Sequence, residues 1–475
     1  MDKRPIVEAM QRFYESQNIS FHVPGHKHGE LSELPRAFID VMKFDYTELS
    51  GLDDYHHPES IIEEAQVLLA KTYSAQHSYF LVNGSTVGNL AMVYATCREG
   101  DRVLVQRNAH KSIFNALELV GALPIFLTPE WDEVTHTATH ISMATVKGAI
   151  EQYSDAKAII LTHPTYYGVT NPTMFEVIRM AHSYGIPVLV DEAHGAHFIA
   201  TDEFPMSALE MGADVVVQSA HKTLPAMTMG SYLHIHSKLV SKDKVNRYLR
   251  MLQSSSPSYI LLASLDDARQ YIGTYAREDY QLFLKTRMQF VESLRTIKSL
   301  EVIEVDDPLK LLLRVSKYTG YSLQKQMEHE GVYVELADPE QVLLILPLLK
   351  ARHQFPYAEI RMKIKSAVEK CLKLQRDKID IDYSHELQAL STLAVSYHDL
   401  QNKEEEFILY TKAAGRICAG MVIPYPPGIP LFVRGEQITT TKLKMLADYL
   451  ASGAMIQGEH DLGNKHLLVL KEEKI

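Results

Sequence analysis

The sequence predicts an α/β protein built on a mainly parallel sheet with helices on both faces. Two observations carry this. From about residue 59, short apolar runs alternate with amphipathic stretches of helical spacing, the pattern of repeated strand–helix units. Most of those apolar runs end in Asn, Arg, His, Asp or Ser. Polar residues therefore gather in the loops after the strands, where open α/β sheets bind ligands.

The elements follow in order. The first 58 residues are irregular and rich in His, Gly and Pro, and read as a loop-rich arm after one short helix. Strands are expected at 78–82, 102–106, 123–127, 158–162, 188–190 and 214–218, and helices at 60–73, 87–96, 111–119, 143–153 and 174–184. One long helix, about 276–299, leads out of this region. A smaller α/β unit follows, with strands near 311–315 and 342–346 and a helix near 357–374. The charged segment 376–383 reads as a linker to a last region that holds the loop Ile423-Pro424-Tyr425-Pro426-Pro427-Gly428-Ile429-Pro430. The expected division is an arm (1–58), a large domain (59–275), a small α/β domain (276–375) and a C-terminal α+β domain (376–475). Neither an internal repeat nor a low-complexity tract is visible.

Composition narrows the function. The chain has 475 residues, 46% hydrophobic and 23% charged, which is enough for two or three domains with sizeable cores. Net charge is −11 with no basic block, which argues against nucleic-acid binding. The three cysteines, Cys97, Cys371 and Cys418, are far apart and form no disulfide framework or metal knuckle, so a reducing cytoplasm is the expected location. The N-terminus lacks an apolar leader, and no apolar run approaches a membrane span. His22, His26, His28, His194 and His197 can be grouped as ligand sets, but no HExxH occurs, and no metal site is expected.

Four strand-end motifs carry chemistry. Ser219-Ala220-His221-Lys222 follows an apolar run. A buried lysine there loses its proton through desolvation and neighbouring cations, and the neutral amine forms a Schiff base. Taken alone, Lys222 also fits a solvated surface lysine. Asp191 ends the run 186–190, 31 positions earlier, room for one helix and one more strand. A carboxylate there can pair with the pyridine nitrogen of pyridoxal 5'-phosphate (PLP) and keep it protonated; it also fits a helix N-cap. Asn83-Gly84-Ser85-Thr86 offers a tight turn, two hydroxyls and a helix start, a phosphate cradle or simply a capped helix. His110, after the run 102–106, can stack on the ring or cap a helix.

Together, Gly84-Ser85-Thr86, His110-Lys111-Ser112, Asp191-Glu192-Ala193-His194-Gly195 and Ser219-Ala220-His221-Lys222 resemble the ornithine/lysine/arginine decarboxylase family of fold-type I PLP enzymes. Phe21-His22-Val23-Pro24-Gly25-His26-Lys27, Asp53-Asp54-Tyr55-His56-His57-Pro58, Pro164-Thr165-Tyr166-Tyr167-Gly168 and the proline loop extend the likeness over about residues 20–460. The resemblance implies a PLP-dependent transferase-like large domain with a seven-stranded sheet. It implies that Lys222 carries the cofactor, Asp191 holds the pyridine nitrogen, His110 stacks on one ring face and Ala193 packs on the other. Ser85, Thr86 and Ser219 would bind phosphate, and His194 and His221 would lie close to the Schiff base. It further implies a homodimer, or a higher assembly, with a shared active site that the His-rich arm reaches. The start of the first motif at Phe21 implies a short form without the N-terminal wing of larger members.

The expected reaction is decarboxylation of a basic amino acid (arginine, lysine or ornithine) to the amine and CO2, in polyamine metabolism. Carboxylates that can read the substrate's distal cation are Asp53, Asp54, Glu335, Asp338 and Glu436, each of which also fits a solvated or capping acid. The run Thr223-Leu224-Pro225-Ala226-Met227-Thr228-Met229 departs from some short-form relatives and leaves the substrate open. The alternatives are another fold-type I PLP reaction, as in an aminotransferase, aldolase or lyase, and a relative that binds PLP with a lost substrate pocket.

Overall fold

The computed structural model describes residues 2–377, 388–425 and 428–472. Most of the expected linker and Pro426-Pro427 lie outside the described residues. The chain forms two compact units, one from 1–96 with 187–277 and one from 97–186 with 278–475.

In the first unit, four strands stand in the order His77–Leu81, Ser231–Ile235, Val215–Gln218, Val188–Asp191. The last two run parallel, while Ser231–Ile235 is antiparallel to both its neighbours. Val215–Gln218 and Val188–Asp191 are buried at every position, as expected of β-branched strands covered on both faces. Ser231–Ile235 is equally buried and was not expected, because Ser231 and His234 interrupt its apolar pattern. Helix Gly84–Thr96 lies against this sheet with no room to spare: a Cβ at Gly88 would stand 2.7 Å from Val217 Cγ1. The arm carries a second helix, Arg36–Met42, besides Pro5–Glu15; it buries no residue and has no side-chain N-cap, so the sequence carries no marker for it. Between Asp191 and Val215 the expected helix is reduced to the 3-10 turn Phe198–Ala200, with Gly195 and Pro205 interrupting helical continuity.

In the second unit, Arg102–Gln106 pairs in parallel with Leu123–Leu127 and Ala158–Thr162. The first unit thus holds four of the sheet's strands and the second these three. An eighth strand, Leu390–Thr392, adds antiparallel to Leu123–Leu127 from the C-terminal region. A four-stranded antiparallel sheet, Leu300–Glu304, Lys310–Val315, Val342–Ile345 and Leu336–Ala337, buries its face with Gly320–His329 and Tyr357–Cys371. The C-terminal region is α+β: helix Thr440–Ser452 packs on a three-stranded sheet that includes Glu405–Leu409 and His466–Leu470. Among the described residues, no helix is long and apolar enough to cross a membrane.

Candidate active site

Val188–Asp191 and Val215–Gln218 are in register with Asp191 opposite Val217, so Asp191 ends one strand and Ser219 follows the next. Lys222 stands in the helical turn Ala220–Thr223 and is half-buried, between the buried and the solvated lysine that the sequence left open. Its Nζ lies 3.1 Å from His194 Nε2.

Asp191 is buried and held from two sides. Its Oδ2 accepts the Asn89 side-chain amide at 2.9 Å, and its Oδ1 accepts the Ala193 N–H at 3.2 Å. The Ala193 carbonyl in turn accepts the Ser219 N–H at 3.3 Å. The loop after one strand is thereby tied to the turn after the next.

Helix Gly84–Thr96 begins three residues earlier than the apolar spacing indicates, with Gly84 at φ +77°. Gly84, Ser85 and Thr86 thus form its first turn, where backbone N–H groups point outward and the dipole is positive. Ser219 Oγ donates to Ser85 Oγ at 2.8 Å, and Thr86 is exposed. Asn89 was missed. Its signal is position: four residues after Ser85, it shares that helix face in an otherwise apolar stretch. His221 is fixed through Nδ1, 3.0 Å from the Gly230 carbonyl, which places the proton on that nitrogen. These contacts gather Ser85, Asp191, Ala193, His194, Ser219 and Lys222, with Gly84, Thr86 and His221 beside them in the chain.

His110 belongs to the second unit. There it caps Lys111–Val120, with Nδ1 accepting from Ser112 N at 3.3 Å, and its ring centroid is 6.4 Å from that of Tyr166.

The five candidate carboxylates separate clearly. Asp53 accepts the backbone N–H groups of Asp54, Glu59, Ser60 and Ile62, and Asp54 those of His56 and His57, so both staple their own loop. Glu335 is exposed. Asp338 and Glu436 both line a cavity of about 910 Å³ in the second unit, walled by Trp131, Tyr153, Tyr166, Tyr321 and Tyr449. Asp338 accepts the Tyr167 hydroxyl at 2.8 Å, and burial pushes its carboxyl up. Glu436 takes Arg107 in a two-point contact (3.2 and 2.9 Å) and Lys442 at 2.8 Å. Among the described residues, no group of three or more His, Cys, Asp or Glu is arranged to hold a metal ion.

Comparison with known proteins decides the family. The Orn/Lys/Arg decarboxylase major-domain model matches residues 4–311, and the C-terminal-domain model of the same family matches 376–459. The chain belongs to the Orn/Lys/Arg decarboxylase family. It is 44% identical to the uncharacterized protein YaaO of Bacillus subtilis (strain 168) over 99% of both chains. It is 35% identical to an arginine decarboxylase of Bacillus anthracis, over 99% of this chain and 98% of that one. The fold matches the solved lysine decarboxylase A of Pseudomonas aeruginosa with a TM-score of 0.81 at 20% identity, covering 98% of this chain and 80% of that one. This chain is accordingly a fold-type I amino-acid decarboxylase, and its cofactor is PLP.

The residues gathered in the first unit fit that cofactor. Lys222 presents an amine for the aldehyde, buried Asp191 a carboxylate for the ring nitrogen, and Ser85, Ser219 and the first turn of Gly84–Thr96 donors for the phosphate. The turn is also open, since a Cβ built on Gly84 meets nothing within 4 Å.

Proposed function

We propose that the chain decarboxylates arginine to the corresponding amine and CO2, with lysine and ornithine as the competing substrates, and so serves polyamine metabolism. One observation carries the site: Lys222 Nζ lies against His194 Nε2, on the strand end next to a buried Asp191–Asn89 pair. Arginine is favoured because the B. anthracis arginine decarboxylase is similar over almost the whole chain.

PLP bound there would supply an electron sink for the pair that loss of CO2 leaves on Cα. The protein's residues do the rest. Lys222 would hold the cofactor through Nζ and, with that amine free, would carry a proton at Nζ to Cα. His194 orients that amine through Nε2. Asp191 keeps a proton on the ring nitrogen, and Asn89 keeps Asp191 turned toward it. Ser85, Thr86, Ser219 and the helix first turn bind the phosphate, Ala193 packs on the ring, and His221, fixed by Gly230, stands beside Lys222. An arrangement built before substrate arrives favours the charge distribution of the reaction over that of the ground state.

The same reading makes the protein a cytoplasmic homodimer. Free Cys97, Cys371 and Cys418 are all buried, which suits a reducing compartment. The arm exposes Ile19, Phe21, Val23, Leu31 and Phe38, which suits a second copy lying over it.

Incubation of the PLP-loaded protein with arginine, lysine and ornithine tests the reaction. The expected result is CO2 and amine in equal amounts, fastest with arginine. A keto acid formed without CO2 would overturn it.

A further inference from the structure

Behind the strand ends that carry Asp191 and Lys222 lies a buried polar chain that none of these roles uses. Glu192 is fully buried. Its Oε1 accepts the Ala208 N–H at 2.8 Å, and its Oε2 accepts both the Ser207 hydroxyl and the Gln218 side-chain amide at 2.8 Å. Gln218 Oε1 is 3.1 Å from His234 Nε2, and His234 Nδ1 is 2.7 Å from Ser78 Oγ. The directions follow. The Gln218 NH2 faces the carboxyl group, so its carbonyl faces His234; the His234 proton then sits on Nε2, and Nδ1 accepts from Ser78. Burial pushes His234 down to about 3, consistent with a neutral ring. Tyr73 stacks on that ring at 4.4 Å, and its hydroxyl donates to the Ala196 carbonyl at 2.7 Å, in the loop that Glu192 begins.

All four strands of the first unit are joined this way: Ser78 lies on one, His234 and Gln218 on two others, and Glu192 directly follows the fourth. Burial pushes the Glu192 carboxyl up to about 8 against the hydrogen bonds that favour its charge. A buried acid is an expensive way to hold a loop, so the exact set of partners it satisfies is informative.

We propose that Glu192 is a positioning residue for the cofactor: it locks the loop carrying Asp191 and His194 to the strand that leads into Lys222, through a hydrogen-bonded chain ending at Ser78. This rests on the assignment of Asp191, His194 and Lys222 to the cofactor pocket.

The chain can reverse its direction. In Glu192→Gln, half a turn of the Gln218 amide, with transfer of the His234 proton from Nε2 to Nδ1, keeps the Gln218–His234–Ser78 contacts. In Glu192→Leu it cannot. His234→Phe keeps a ring against Tyr73 and removes both nitrogens, so it cuts the chain before Ser78 and leaves the Gln218 amide free to turn.

The test measures PLP affinity, the cofactor absorption band, kcat and KM for each variant, and the melting temperature. Glu192→Leu is expected to weaken PLP binding on the order of tenfold, shift the band and lower kcat, with KM changed by less than about twofold. Glu192→Gln restores most of the affinity, and the Glu192→Gln/His234→Phe double variant loses less than the two single changes combined, because His234→Phe has already cut the chain through which Glu192 acts. Unchanged PLP affinity and absorption in a folded Glu192→Leu protein would overturn the proposal. If that variant does not fold, strictly additive effects of Glu192→Gln and His234→Phe would overturn it instead. Borohydride reduction and peptide mapping of the wild-type holoenzyme tests the underlying site separately: an adduct away from Lys222 sinks the site reading, whatever the Glu192 variants do.

Discussion

Asp191 has one oxygen on Asn89 and the other on its own loop, so its direction is set before any ligand arrives. In the proposed reaction its value would lie in negative charge next to the ring nitrogen. Asp191→Asn keeps the shape and removes that charge, and should lower kcat by about two to three orders of magnitude, several kcal/mol of lost stabilisation. Steady-state rates, with PLP occupancy confirmed by absorbance, check it; turnover near wild type rules out the role. The sequence could place Asp191 because five apolar residues in a row point to a buried strand and name its end. It could not place Asn89, because nothing in a lone helical Asn announces a partner 102 positions away. The same limit applied to the carboxylates. Asp53 and Asp54 look available in sequence, yet they are consumed by the backbone N–H groups of their own loop.

At the level of elements, apolar patterning was enough for strands with an unbroken apolar centre of three or more residues: 102–106, 123–127 and 158–162 fall where expected. It failed for Ser231–Ile235, whose buried polar residue His234 is satisfied by Gln218 and Ser78 from its two neighbouring strands. Helix Gly84–Thr96 shows what packing adds. Gly88 lets it approach Val217, and Asn89 follows immediately. Gly88→Ala improves helix propensity but forces a methyl into contact at 2.7 Å. Overpacking should win, with a net cost of about 1–2 kcal/mol and weaker PLP binding as Asn89 moves. Thermal unfolding and PLP titration test this; a stabilised variant with full PLP affinity contradicts it. In the second unit, Arg107 fastens the proline loop through the carbonyls of Pro430 and Leu431 and grips Glu436. Burial alone would raise the Glu436 carboxyl, but Arg107 and Lys442 outweigh it and hold it at about 2. A carboxyl depressed in the folded state adds stability that is full above the unfolded value of 4.5 and is lost as pH falls toward 2. Arg107→Met should therefore cost about 3 kcal/mol at neutral pH, with Lys442 left as partner. Its deficit against wild type should shrink as pH falls below 4.5. Denaturant unfolding across that range reads both, and a deficit independent of pH would exclude the ion pair as its source.

For the whole molecule, the arm poses the sharpest question. Phe21 is 95% exposed, Ile19 88% and Leu31 73%, in a segment whose helix Arg36–Met42 buries nothing. Large apolar side chains exposed along one stretch of chain make that stretch a candidate interaction surface. A second copy is the partner that the family resemblance implies, and an interface of roughly 800 Å² per partner is the usual size for a stable pair. If the arm supplies the centre of that interface, a charge placed there is desolvated without a partner and the dimer opens. Phe21→Glu together with Leu31→Glu should convert a dimer into a monomer in light scattering at micromolar concentration. The melting temperature of the monomer should then become independent of protein concentration, while that of wild type rises with it. Activity should fall with the dimer if the active site is shared, and should recover part of its value at high protein concentration. A double variant that stays dimeric would assign the arm's apolar surface to something other than a second copy, and a monomer with full activity would show that one chain suffices for decarboxylation.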